Sequence, residues 1–275
     1  MGVNIKFENE RKYISNNLTE HFNEAEKLGY NIVLLALQGS QNYNLAYENS
    51  DIDTKCLIIP SFRNIARASS PVSKTHVREN NEHIDIKDIR LYFRQFWKQN
   101  INFLEILFTP YLICTSNFSQ YWKELTSMRE DIAHFNMIAA VKSMSGMAME
   151  KFKIMKHPYP TVEDKIEKYG YDGKQLHHIL RIEEFLKAYI NGESFAKCLV
   201  NYPKYGRDFL LLVKRNEFGL EAAEELAQES INLINEMKNK FIESASTSVN
   251  VKVKERAEEI LYDILAYYIK QELED

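Results

Sequence analysis

The 275-residue chain contains no apolar run of the length that a membrane-spanning helix needs. Its first residues, Met1-Gly2-Val3-Asn4-Ile5-Lys6, form no apolar signal segment, and Lys6 stands where a myristoylation motif carries Ser or Thr. Cysteine is scarce. Cys56, Cys114 and Cys198 lie far apart in no paired spacing, which argues against a disulfide framework or a zinc ribbon and sets the expectation of a reducing cytoplasm. There is no excess of basic charge. A net charge of −4 does not suit a generic polyanion binder. His21, His76, His83, His134, His157 and His177 show no metal-ligand spacing and read as structural or surface histidines. Fixed-period repeats and low-complexity tracts are missing too.

What is there is a globular composition: 45% hydrophobic and 27% charged, enough apolar mass for one large or two modest domains. Charge is uneven along the chain. From Lys142 to Arg181 there are eight Lys or Arg against five Asp or Glu, whereas from Glu217 to the end there are six against fourteen. A basic middle followed by an acidic segment allows a local phosphate-binding surface, although solvated helix faces account equally well for most of these charges.

The chain is organised around Asn31–Ile59. An apolar run, Ile32 to Leu37, leads to Gly39-Ser40. A polar loop follows, then Ser50-Asp51-Ile52-Asp53, then a second apolar run from Cys56 to Ile59. Short apolar runs bounded by turn formers predict two strands and a connecting loop. Residues i and i+2 of a strand face one side, so Asp51 and Asp53 aim their carboxylates at one place. Adjacent carboxylates repel unless a cation lies between them, and hard oxygen ligands suit magnesium. Gly39 permits close backbone approach and Ser40 adds a hydroxyl. The stretch offers a phosphate cradle beside a metal site.

Gly39-Ser40, a spacer and an Asp-x-Asp strand resemble the signature of the polymerase-beta-like nucleotidyltransferases. The bacterial and phage pattern Gly-Ser-x-x-Tyr-Gly ending in Ser-Asp-x-Asp is closer still. Tyr43 and Ser50 match it, and Asn44 stands where Gly is usual, a residue that tolerates the left-handed conformation. The resemblance implies a third carboxylate on a neighbouring strand, and Asp85, between Ile84 and Ile86, supplies it. It further implies two Mg²⁺ ions (Mn²⁺ as a substitute) bridged by Asp51 and Asp53, with Asp85 holding the ion that activates the acceptor.

Along the chain, Asn9–Leu28 reads as an amphipathic helix with Tyr13, Ile14, Leu18, Phe22, Ala25 and Leu28 on its apolar side. Ser69–Asn81 reads as a polar loop whose Lys74, His76 and Arg78 could reach a phosphate. Asp88–Lys98 is an aromatic-rich helix, and Leu112–Cys114 reads as a last strand. From Asn117 onward the periodicity is helical. A second motif, KYGYDGKQLHHILRIE, spans Lys168 to Glu183. Asp172 is a candidate N-cap, and Lys174, His178 and Arg181 share one helix face with Leu176, Ile179 and Leu180 roughly opposite. A basic stripe at a helix start suits a nucleotide phosphate. The segment resembles one that follows the catalytic domain in the same nucleotidyltransferase branch, with Gly173 standing where Thr is usual.

The expected architecture is α+β: a small mixed-sheet domain over residues 1–116, then an all-helical domain over 117–275 that closes the cleft. The reaction implied is transfer of a nucleoside monophosphate from an NTP, ATP first, to an acceptor hydroxyl with release of pyrophosphate. Asp51, Asp53 and Asp85 would be catalytic and metal-binding; Gly39, Ser40, Ser50, Lys174, His178 and Arg181 would bind nucleotide. The acceptor, the base and the oligomeric state stay open, with RNA, a protein side chain or a small molecule as acceptors. A catalytically inactive nucleotide-binding or protein-interaction module on the same fold is the alternative. No membrane partner is expected.

Overall fold

The computed structural model describes residues 2–47, 50–245 and 249–274. Helix α1 (Gly2–Lys27) leads into β1 (Asn31–Gln38) and, after the loop, β2 (Asp53–Ile59). These are the two strands expected from the apolar runs. A short α2 (Phe62–Ala66), capped by the Ser61 hydroxyl, precedes β3 (Ser73–Val77) and β4 (His83–Asp88). The Ser69–Asn81 segment is therefore not all loop, because it contributes an edge strand. Its His76 and Arg78 bind Glu24 on α1 at 2.6 and 2.8 Å, so they brace the sheet.

Asp88 caps α3 (Ile89–Trp97), which is followed by α4 (Ile101–Leu104), a 3₁₀ turn at Glu105–Leu107 and β5 (Leu112–Cys114). The sheet runs β3-β4-β2-β1-β5; β2 and β4 are parallel and the other pairs antiparallel. Alternation along the strands divides two cores. Leu35, Leu37, Cys56, Ile58, Ile84 and Ile86 face α1, where Ile14, Leu18 and Ala25 meet them. Tyr13, expected on that stripe, is 54% exposed. Leu34, Ala36, Leu57 and Ile59 face the other way, onto α3 and the helices beyond.

From Ser116 onward every described element is a helix: α5 (Ser116–Ser127), α6 (Arg129–Ala133), α7 (Met137–Ile154), α8 (Glu163–Tyr169) and α9 (Gly173–Ile190). Then come α10 (Phe195–Val200), α11 (Arg207–Lys214), α12 (Leu220–Ser244) and α13 (Val251–Glu274). The fold is α+β, as expected. Helix α9 is its central strut, packed by α7, α10, α11 and α12. Helix α13 returns to the sheet side, where the Glu272 carboxylate accepts from the Phe62 N–H at 2.7 Å. Among the described residues no helix is long and apolar enough to cross a membrane.

Candidate active site

Strand β2 carries two kinds of residue on one face. Asp53 and Lys55 come first and Leu57 and Ile59 follow, so the same face that forms core at one end is polar at the other. The strand begins at Asp53, and Asp51 lies just before it. What places Asp51 is its neighbour Ile52. That side chain is fully buried, and its N–H donates to Glu82 Oε1 at 3.2 Å. Glu82 is itself held by His21 Nε2 at 2.9 Å and Arg78 Nη1 at 2.6 Å. Asp53 Oδ1 accepts from the His83 N–H at 3.1 Å and lies 3.1 Å from His83 Nδ1.

The loop after β1 turns at Gly39, whose φ of +83° suits glycine; a Cβ there would lie 3.9 Å from Asp53 Oδ2. The Ser40 carbonyl closes the turn, accepting from the amides of Tyr43 and Leu45 at 3.3 and 3.0 Å. Asn44 has a φ of +57°, the left-handed conformation that the position needs. Ser50 Oγ accepts from the Tyr47 N–H at 2.9 Å, so this hydroxyl shapes the loop besides facing the cleft.

The opposite wall is the start of α9. Asp172 caps it, accepting from the Lys174 N–H at 3.0 Å, and Asn216 Nδ2 donates to the Tyr171 carbonyl at 2.8 Å. A Cβ at Gly173 would come within 2.3 Å of the Val213 carbonyl oxygen, so glycine lets α9 seat directly on α11. Helix α9 is buried on almost every side, which differs from the two-faced helix expected from its pattern, because four neighbouring helices surround it.

One cavity of about 520 Å³ is lined by all nine residues singled out in the sequence: Gly39, Ser40, Ser50, Asp51, Asp53, Asp85, Lys174, His178 and Arg181. It is also lined by Tyr43, Tyr47, Lys55, Lys87, Phe103, Glu105, His177 and Lys214, which the sequence reading did not place there. Lys55 carried a signal, since strand alternation puts it on the face of Asp53. Glu105 and Lys214 carried none.

Arg181 is buried, and among the described residues no hydrogen bond or ion pair engages its guanidinium; its Nε is fully enclosed without a partner. The guanidinium lies 3.8 Å from the centre of the Tyr43 ring. Burial lowers its pKa, with Tyr202 and Glu105 opposing. Glu105, which lines the same cavity, is also buried, and its Oε2 has no partner. Burial pushes its carboxyl up to about 8, against the pull of Arg181 and the Gly39 amide. Burial likewise pushes His177 down to about 3; its Nδ1 lies 2.9 Å from the Leu210 carbonyl, which requires the proton on Nδ1. His178 is held well below its usual range by burial and by Arg181. Lys214 is pushed down to about 8 by burial and by Lys174, with Asp51 and Asp53 opposing.

The donor set fits a divalent ion at Asp51 and Asp53. Asp53 Oδ2 receives no hydrogen bond and faces Gly39, and no described residue engages the Asp51 carboxylate. One or two carboxylates completed by substrate phosphates and water is the usual magnesium arrangement. Asp85 differs, since both of its oxygens are taken: Oδ2 by Lys55 Nζ at 3.0 Å and Oδ1 by Lys87 Nζ at 2.7 Å. Among the described residues no group of three or more carboxylate, histidine or cysteine side chains is placed to hold a metal ion.

A glycine-turned loop, strand carboxylates and a cationic helix start thus line one cleft. The profile of the RlaP family, the RNA repair pathway DNA polymerase beta family, matches residues 11–183, and the chain belongs to that family of polymerase-beta-like nucleotidyltransferases. No curated protein matches the chain. Among solved structures it is similar to a nucleotidyltransferase-like protein from Exiguobacterium sibiricum 255-15, at 11% identity over 90% of this chain and 77% of that one, with a TM-score of 0.29.

Proposed function

We propose that the cleft moves a nucleoside monophosphate from an NTP, ATP in the first instance, to an acceptor hydroxyl and releases pyrophosphate, with Mg²⁺ (Mn²⁺ as a substitute) at Asp51 and Asp53. The observation that carries this reading is Arg181. A buried guanidinium without a protein partner is costly, and it lines the same cavity as the two open carboxylates. An anionic ligand that brings its own cation satisfies both.

In this reading residues 1–116 are the catalytic domain and 117–275 supply the closing wall. Ser40 holds the distal phosphates through its O–H donor, and the turn at Gly39 lets them approach the backbone closely. Lys174, Lys214 and Arg181 neutralise the polyphosphate as charge moves to the leaving pyrophosphate. His178, kept uncharged, offers a ring N–H without adding charge. The bound cation supplies Lewis-acid polarisation of the phosphoryl oxygens. The chain's own part is positioning and electrostatics, and no covalent intermediate is needed.

The family description refers to RNA repair, which favours an RNA end as the acceptor. The test is incubation with each α-labelled NTP and Mg²⁺, offering an RNA oligonucleotide with a free 3′-hydroxyl and, separately, the RNA, protein and small-molecule fractions of a lysate. Label in the RNA that is lost in Asp53→Asn supports the proposal. Label only in the protein or small-molecule fraction moves the acceptor. No label anywhere, with no NTP bound, overturns it.

A further inference from the structure

Asp85 and Lys55 are fixed on each other by the backbone. The parallel register of β2 and β4 pairs these two residues directly, so their side chains leave neighbouring strands on the same face. The Lys55 side chain is 3% exposed and that of Asp85 is 16% exposed. Lys55 Nζ lies 3.0 Å from Asp85 Oδ2 and 4.3 Å from the centre of the Phe103 ring. Among the described residues Asp85 is the only carboxylate paired with this ammonium. The other Asp85 oxygen takes Lys87 Nζ at 2.7 Å, and Lys87 also donates to Ser73 Oγ at 2.8 Å.

The consequences for cation binding are electrostatic. A carboxylate that left Lys55 to bind a metal ion would strand a desolvated ammonium, and the incoming double charge would then lie against it. Asp53, one alternation further along the same face, has no such competitor, since its Oδ2 is open.

We propose that Lys55 stands in for a second, acceptor-side cation. Its ammonium, seated on Asp85, provides the fixed positive charge there, and the cleft takes up one divalent ion, at Asp51 and Asp53, instead of two. The inference rests on the nucleotidyl-transfer reading of the same cleft. In it Lys55 is a positioning residue that presents charge where the acceptor hydroxyl approaches, and Asp85 is its counterion and not a metal ligand.

The test counts ions and does not depend on turnover. Full-length protein is loaded with Mn²⁺ and a mixture of the four α,β-methylene nucleoside triphosphates. Protein-bound Mn²⁺ is then counted and its electron paramagnetic resonance spectrum recorded, since two ions about 3.5–4 Å apart are spin-coupled. The expected result is one uncoupled Mn²⁺ per chain, unchanged in Asp85→Asn. Lys55→Met, which frees Asp85, is expected to admit a second, coupled ion; if that variant fails to fold, the wild type and Asp85→Asn still decide. Two coupled ions in the wild type, falling to one in Asp85→Asn, overturn the inference and leave the transfer reading intact. No bound Mn²⁺ in the wild type overturns both.

Discussion

Arg207 Nε donates a hydrogen bond of 2.9 Å to the carbonyl of Asn44, a residue 163 positions earlier, and its Nη2 donates one of 3.0 Å to Ala46. Two neighbours continue the pattern. The Tyr202 hydroxyl lies 3.0 Å from the Tyr43 carbonyl and shares its one proton between that oxygen and the Leu199 carbonyl at 2.6 Å, and Lys214 Nζ donates to the Leu45 carbonyl at 3.4 Å. Four successive carbonyls of the loop after Gly39-Ser40 are thus held by side chains from residues 202–214, beyond the end of the family match. The helical part of the chain shapes the loop expected to hold phosphate as well as facing it.

Arg207→Ala is therefore expected to act on nucleotide more than on folding. Loss of these hydrogen bonds should cost about 1 kcal/mol, a three- to tenfold weaker NTP affinity. Tm should fall by no more than about 2–4 °C. Calorimetric titration of NTP with Mg²⁺ checks the first figure, and an unchanged affinity would show that the loop keeps its shape without the clamp.

Arg181→Met separates binding from stability. Replacing an unpartnered buried guanidinium with an apolar side chain of similar length removes a desolvation penalty from the free protein, so its Tm should rise. NTP binding should weaken by roughly ten- to a hundredfold, the loss of a charge-assisted hydrogen bond of about 1.5–3 kcal/mol. A variant that loses stability and keeps affinity would falsify the role given to Arg181.

Glu105 predicts a pH dependence of stability. Its folded pKa, about 8, is raised above the unfolded value, so the folded state binds the extra proton and the penalty for burying the carboxyl grows as pH rises. Stability from this group is fully present below about pH 4.3, falls as pH rises from there, and levels off above about 8. His177 works the other way, but only below about pH 6.5, where its unfolded form takes up a proton. Between pH 6.5 and 8.5 the wild type should lose Tm more steeply than Glu105→Gln. Parallel curves in thermal scans across that window would show that Glu105 is ionised in the folded protein throughout.

Asp51→Asn and Asp53→Asn should each lower transfer by at least about a hundredfold, because an amide is a poorer magnesium ligand and several kcal/mol of transition-state charge stabilisation depend on the ion. Both variants should fold, since no described partner engages Asp51 and Asp53 keeps only His83. Turnover of well-folded Asp53→Asn at the wild-type rate would remove Asp53 from the metal site.

Lys174 is paired with an internal control. Lys174→Ala should weaken NTP binding toward the lower end of about ten- to a hundredfold, because the side chain is exposed and water screens part of its charge. Lys187, exposed on the same helix roughly three to four turns further along, should have no effect when replaced by Ala. Equal affinities for the two variants would make the start of α9 a structural cap and not a wall of the site.

The amino-acid sequence alone determined the strand–loop–strand unit, because two short apolar runs with a glycine turn between them can bury themselves in few other ways. It determined the faces of Asp53 and Asp85 through alternation, and the cap at Asp172 through its place before a periodic helix. These are local signals, legible within a few residues. Tertiary structure alone decided that α9 is enclosed on almost every side, because burial depends on which helices arrive around it. It alone decided that the Arg181 guanidinium and one oxygen of Glu105 are left without hydrogen-bond partners in one cavity, and that Arg207, Tyr202 and Lys214 reach the loop from about 160 residues away. It also decided the partner of Asp85. Alternation gives the side of the sheet, but only the register of β2 against β4 sets Lys55 opposite that carboxylate, and register is a property of two strands that neither carries alone.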